Sequence, residues 1–267
     1  MSPFISQKFD PTPALQQHVK CFWTLEADES AQNSLPVFPD TNVELIITCG
    51  APYVYSDSSG TLHQLPRVIL SGLHNRPQYP HVLGDCRFVA VRLYPWAVRS
   101  LTDLPAYIDN LPYIPLSARW QDFARTLVWT FDQRGHQAAV DCLQQFVLDS
   151  RHDQPTAVPI QNAGAALDAS GGQVDMPTLA TRAHLSLRQF ERQFKHWTGI
   201  LPKAYARLIR HESARASLYR DPAQSMAAVA LDHGYTDQAH FIHEFKTFTG
   251  YTPGEFASVL RSSPIAS

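Results

Sequence analysis

Two short segments near the C-terminus carry side chains suited to reading the edges of base pairs. In the first, LSLRQFERQFKHWTG, the residues Arg188, Gln189, Glu191, Arg192 and Lys195 fall off the apolar stripe of a helix that begins at Leu187. In the second, GYTDQAHFIHEFKTFTG, the same holds for Gln238, Ala239, Ile242, His243 and Lys246. Arginine bonds guanine, glutamine bonds adenine, a glutamate accepts from cytosine, and lysine neutralises phosphate. An outward alanine or isoleucine is odd against water but sensible against a thymine methyl. This is recognition chemistry, and it requires no cofactor.

The elements that would position these side chains are written twice. Phe190, Phe194, Lys195, Thr198, Gly199 and Pro202 recur 51 positions later as Phe241, Phe245, Lys246, Thr249, Gly250 and Pro253, and Tyr205 recurs as Phe256. Each copy follows a short apolar helix and a turn, LATRAHLS before the first and VALDHGYTD before the second. Ser186 is a good N-cap for the first reading helix, and Thr236 or Asp237 for the second. Leu187, Phe190, Phe194 and Trp197 should be buried in one copy, and Phe241, Phe245 and Phe248 in the other. Gly199 suits a left-handed stop, with Pro202 starting the next helix. Helices are expected near 160–169, 175–183, 187–197, 202–219, 225–233, 237–248 and 253–260.

Between the copies, KAYARLIRHESARASLYR reads as one continuous helix. Its length of roughly 25 Å would hold two reading helices near one DNA turn, about 34 Å, apart. Arg207, Arg210 and Arg215 lie along it, as a solvated face first and as phosphate contacts second.

Enzyme readings find little to stand on. In HFIHEF, His240 and His243 sit one turn apart, but the second histidine of H-E-x-x-H is missing. No G-x-S-x-G, P-loop or Rossmann glycine run occurs, so no catalytic residue is assigned. Cys21, Cys49, Cys86 and Cys142 are scattered, without a CxxC pair. They read as buried thiols, and neither a metal site nor a sacrificial-thiol repair domain is expected.

The first half of the chain is different. KCFWTLEA, NVELIITC, RVILSG and CRFVAVRLY are rich in β-branched and aromatic residues and read as strands. WAVRSL reads as a short helix, and 119–133 and 136–150 as two amphipathic helices. Those two either pack on the β domain or offer a dimer surface. The expected organisation is a domain over 1–152, a polar linker over 153–159 and an all-helical domain over 160–262. In the first domain Trp23, Glu44, Arg92 and Trp96 are the candidate effector-binding residues. Glu44 and Arg92 each interrupt an apolar strand, and would form either an ion pair across the sheet or a ligand clamp. The spacing of His63, His74 and His81 lacks the metal-cupin pattern.

A length of 267 residues suits two domains of ordinary size. The formal net charge of −2 does not advertise a nucleic-acid partner, so local placement must carry the electrostatics. No apolar run approaches about 18 residues, and the N-terminus lacks a signal-peptide pattern, so a cytoplasmic protein without a membrane partner is expected.

Residues 160–260 resemble the DNA-binding domain of the AraC/XylS family of bacterial transcription regulators. Leu179-Ala180, Ser186, Arg192, Phe194-Lys195, Gly199 and Pro202 carry the likeness in the first copy. In the second it rests on Val229-Ala230, Gly234-Tyr235, Asp237-Gln238, His240-Phe241, Phe245-Lys246, Gly250, Thr252-Pro253 and Phe256. The resemblance places base contacts on Arg188, Glu191 and Arg192, then on Gln238, Ala239, Ile242 and His243. Glu191, and His243 where the family often has arginine, depart from the pattern and bear on which operator is read. LQQHVKCFWTLEA, FPDTNVELII and VRLYPWAVRSL are similar to an uncharacterised domain found ahead of such readers. That implies a sensory or dimerisation module of cupin-like β-structure.

The expected fold is therefore α+β in two domains: a β-rich domain followed by helices, then an all-α domain with two helix-turn-helix units joined by a long helix. The expected partner is the major groove of double-stranded DNA. RNA polymerase, a small-molecule effector and a second copy of the chain are further candidates. Its place would be the bacterial cytoplasm, on the nucleoid when bound.

Overall fold

Short runs of β-branched and aromatic residues pair into antiparallel sheets in the first half of the chain. The computed structural model describes residues 4–27, 36–56, 61–82, 84–102, 104, 107, 113–152 and 158–262. Its strands are β1 (Phe4–Phe9), β2 (Val19–Ala27), β3 (Val43–Thr48), β4 (Tyr53–Ser56), β5 (Leu62–Gln64), β6 (Val68–Ser71), β7 (Pro80–Val82), β8 (Cys86–Leu93) and β9 (Tyr113–Pro115). One sheet runs β1-β2-β8-β3-β6-β9 and a second β5-β4-β7, with every pairing antiparallel.

The four expected strands are β2, β3, β6 and β8. The others were missed because they are only three or four residues long or, in β1, weak in local signal. β5 is the exposed tripeptide LHQ, and β1, FISQKF, is only half apolar.

Strand alternation assigns two apolar faces to the large sheet. Val43, Leu45 and Ile47 of β3, and Val89, Val91 and Leu93 of β8, are fully buried on one face. The opposite face brings Ile46, Ile69, Phe88, Ala90 and Tyr113 into a cluster with Trp23, Tyr53 and Tyr55, so residues of both sheets share one core. A sheet buried on both faces needs a cover, and α2 supplies it. After the short α1 (Val98–Thr102), α2 (Ala118–Ser150) packs on β2, β6 and β8. Its buried stripe is Trp120, Leu127, Phe131, Val140, Leu143 and Val147. The two expected helices are both present in α2, separated by the kink at Gly135, whose φ of 77° is not helical. Their apolar stripe is spent on the sheet, and Trp129 is left 61% exposed.

The second half is helical: α3 (Val158–Ala169), α4 (Met176–Arg182), α5 (Leu187–Thr198), α6 (Pro202–Arg220), α7 (Met226–Asp232), α8 (Gln238–Thr249) and α9 (Pro253–Ser262). These match the seven expected helices to within about two residues. Of the expected linker, 153–157 lies outside the described residues.

The chain forms two compact units. Unit 1 is Met1–Val37, Asn42–Leu73 and Tyr79–Pro155; unit 2 is Phe38–Thr41, His74–Gln78 and Thr156–Ser267. Phe38 lies in the core cluster of unit 2 with Ala214, Leu218, Phe241, Phe245 and Phe256. Nothing in the composition of FPDT singles it out for that place.

Candidate nucleic-acid interface

The repeated residues of unit 2 are repeated because they do the same structural work twice. Phe190 and Phe194 on α5, and Phe241 and Phe245 on α8, have no solvent exposure. Each reading helix is capped at its start. The Ser186 hydroxyl accepts from the Gln189 N–H at 3.3 Å, and the Gln189 side chain accepts from the Ser186 N–H at 3.0 Å, a reciprocal capping box. In the second copy Asp237, not Thr236, is the cap, accepting from the His240 N–H at 2.8 Å.

The ends match as well. The Thr198 hydroxyl donates to the Phe194 carbonyl at 2.8 Å, and that of Thr249 to the Phe245 carbonyl at 2.8 Å. Each hydroxyl also lies 3.4 or 3.1 Å from the N–H two residues on, of Ile200 or Tyr251, which donates to it. Gly199 and Gly250 follow at φ 82° and 80°, a left-handed backbone that a Cβ would strain. The Thr-Gly pair is therefore a helix stop used twice.

What the caps and aromatic pairs leave outward is the expected set of polar side chains. Arg188, Gln189, Arg192 and Lys195 are exposed on α5, and Glu191 is half-buried. Gln238, Ala239, His243 and Lys246 are exposed on α8, and Ile242 is half-buried. One of these side chains is partly committed, since Gln189 spends its carbonyl oxygen on the capping box and keeps only its amide N–H groups to offer. Leu187 departs from expectation: at 41% exposure it lies at the helix start, before the stripe is covered.

The linking helix α6 runs 19 residues, about 28 Å at 1.5 Å per residue. Its arginines are not a solvated row. Arg207 Nε donates to Glu244 Oε2 at 2.7 Å, and its guanidinium lies 5.5 Å from the Phe248 ring centroid. Arg210 lies 5.7 Å from the Tyr235 ring centroid, and Arg215 5.4 Å from that of Phe38. Glu244 was missed as an organising residue, although a signal existed. It falls three residues after Phe241 and four before Phe248, on the buried stripe of α8, where a carboxylate requires a partner. Burial first, and then the charge of Glu244, pushes the nearby Tyr235 phenol well above its ordinary range.

In unit 1, three of the four candidate effector residues come together. Glu44 and Arg92 are cross-strand partners in the β3–β8 register. Arg92 Nε and Nη2 donate to Glu44 Oε1 at 2.8 and 2.6 Å. The Arg92 guanidinium stands 5.5 Å from the Trp23 ring centroid, and Trp23 meets Phe88 edge-on at 4.7 Å. The Trp23 indole N–H is buried without a hydrogen-bond partner among the described residues. Trp96 is 3% exposed and stacks on Tyr94 at 5.0 Å. It is buried within the short helical turn 95–97. Burial pushes the Cys49 thiol up to about 12, which keeps it from being a thiolate near neutral pH. No cluster able to hold a metal occurs among the described residues, and none of their helices is long and apolar enough to cross a membrane.

Comparison with known proteins bears on both units. Residues 179–258 match a family model described as a helix-turn-helix domain, and residues 7–108 match a domain of unknown function (DUF6597). A HTH-type transcriptional activator RhaS of Escherichia fergusonii is 35% identical over 82 residues, 31% of this chain and 29% of that protein. The match therefore spans under a third of that relative. RhaS of Pectobacterium carotovorum is 23% identical over 91% of this chain and 88% of its own. Among solved structures, ToxT of Vibrio cholerae covers 98% of this chain and 100% of its own at 11% identity, with a TM-score of 0.47. An AraC-type regulator from Chromobacterium violaceum covers 40% of this chain and 95% of its own at 25% identity, with a TM-score of 0.36.

Proposed function

We propose that this chain, a member of the AraC/XylS family by its C-terminal helix-turn-helix domain, regulates transcription from bacterial promoters by placing α5 and α8 in successive major-groove segments of one DNA face. The observation that carries the reading is the duplicated helix, capped at its start and ended by the same Thr-Gly stop, with a buried phenylalanine pair behind and exposed side chains in front. Arg188, Glu191 and Arg192 read the first half-element. Gln238, Ala239, Ile242 and His243 read the second. Lys195 and Lys246 neutralise phosphate, and the amide N–H groups of Gln189 remain available to a base or a phosphate. Unit 1 serves as an effector-binding or dimerisation module, with Trp23, Glu44 and Arg92 as the place a small molecule would engage. RNA polymerase is a further partner at the promoter, and the protein works in the cytoplasm, where its DNA lies.

Selection of DNA fragments by the full-length protein tests this. A motif of two half-elements about one helical turn apart is expected. Arg192→Ala should weaken specific binding by about 1–3 kcal/mol and relax base preference within the first half-element only. His243→Ala should degrade only the second. An unchanged operator affinity in Arg192→Ala would show that the recognition face is wrongly assigned.

A further inference from the structure

A cleft of about 690 Å³ opens within unit 2, between the turn before α4, helix α6 and one flank of α8. Its wall includes Lys203, Arg207, Arg210, His240, His243 and Glu244. Asp175 stands there too, but its carboxylate caps α4, accepting from the Thr178 N–H at 2.9 Å and the Thr178 hydroxyl at 2.7 Å. The three permanent cations outnumber the two carboxylates before either imidazole is protonated.

Glu244 is 2% exposed and lies against two of the three cations, Arg207 and Arg210. Its Oε2 accepts from Arg207 Nε at 2.7 Å and lies 3.7 Å from His240 Nε2. Its Oε1 lies 4.0 Å from Arg210 Nη2, too far for a hydrogen bond. The same oxygen and Arg210 Nε are buried without hydrogen-bond partners among the described residues. Charged donors lining a cleft, two of them beside one buried carboxylate and incompletely used, suit an anion with several acceptor oxygens.

The position of the cleft selects which anion. His243 belongs both to the cleft and to the outward face of α8. The wall of the cleft joins the turn that opens the first helix-turn-helix unit, the linking helix α6 and the reading helix α8 of the second, so the cleft stands where the two units meet. We propose that the cleft seats a backbone phosphate of the DNA between the two half-elements. The inference rests on the DNA-reading function proposed above. Its consequence is a grip on spacer DNA that no base contact reports. Operators would then be distinguished by how easily the spacer takes the required path.

Ethylation interference on a selected two-part operator, with the full-length wild-type protein, tests the site without any substitution. Interference at spacer phosphates is expected. Lys203→Ala should make the slope of log K against log salt shallower by about 0.9, the value of one lost phosphate contact, with the selected bases unchanged. Lys203 is exposed, so this variant leaves the core intact. Interference confined to phosphates within and outside the half-elements would overturn the proposal, as would a slope unchanged in both Lys203→Ala and His240→Gln. Competition by inorganic phosphate at matched ionic strength, with silent spacer phosphates, would make this a small-anion site and also overturn it. Failure of the wild type to select any two-part element removes the underlying reading, and this one with it. That failure is recognisable because no spacer is then defined.

Discussion

Truncation of Phe245 to alanine will cost unit 2 about 3–5 kcal/mol, and Phe194→Ala a similar amount. Phe245 has no exposed surface and is enclosed by rings on three elements. Phe241 lies 5.5 Å away on its own helix, Phe256 5.4 Å away on α9 and His211 5.2 Å away on α6. Phe194 sits in the corresponding place, with Phe190 at 5.9 Å and Tyr205 at 5.8 Å. Removing either ring leaves a void that α6 cannot close, because α6 is tied to both reading units at once. Tyr205 on α6 also donates to Asp168 on α3 at 3.0 Å, while Arg207 two residues along holds Glu244 on α8. A loss of that size is a large part of the 5–15 kcal/mol typical of a whole domain. Lys246→Ala, one residue from Phe245 but exposed, should stay within about 0.5 kcal/mol. Urea unfolding followed by circular dichroism separates the cases. A Phe245→Ala loss below about 1 kcal/mol would mean that the second copy has no core of its own.

That prediction depends on a pattern legible in the sequence, and the reason is physical. Helix starts, stops and buried stripes are local: Ser186, Asp237, Gly199, Gly250 and the phenylalanines act within a few residues of where they stand. Unit 2 could therefore be traced almost element by element. The strands of unit 1 were only half visible, because β5 and β9 are three residues each and β9 owes its pairing to the distant β6. The pairing of Glu44 with Arg92 was readable as an option, since each breaks an apolar strand, but its geometry depends on register. The depth of Trp96 was not readable, because an aromatic beside a strand end looks the same whether it lines a cavity or fills a core. Glu244 was overlooked for the opposite reason: its partner Arg207 lies 37 residues away, and a sequence shows the charge on the apolar stripe without showing what neutralises it.

Acid will destabilise unit 2 earlier than its carboxylates require, and His211 will be the main cause. This histidine has no exposed surface and neither ring nitrogen has a hydrogen-bond partner among the described residues. It packs against the rings of Phe245 at 5.2 Å and Phe248 at 4.8 Å. Burial foremost, and then the charge of Arg215, pushes its pKa down to about 3 from the ordinary 6.5. The unfolded chain therefore takes up a proton near pH 6.5 that the folded chain refuses until about pH 3. Between those values unfolding binds one extra proton, so stability falls as pH falls, by about 1.4 kcal/mol per unit at the steepest. Above pH 6.5 the contribution is fully retained. His74, lowered to about 4 by burial, adds in the same direction. The carboxylates of Asp175 and Glu255, held below their ordinary values by Thr178 and Thr252, lose their contribution only in a lower pH range. His211→Leu should therefore flatten the limb between pH 6.5 and 4.5 by about one proton, with His74 and His233, whose pKa burial also lowers, accounting for what remains. It should also raise stability at pH 7, since it removes two buried nitrogens left without partners. Urea midpoints measured across that range decide the matter. An acid limb equally steep in the variant would mean that His211 is solvated or hydrogen-bonded in solution, and that the polar seam between α6 and α8 extends further into the core than Glu244.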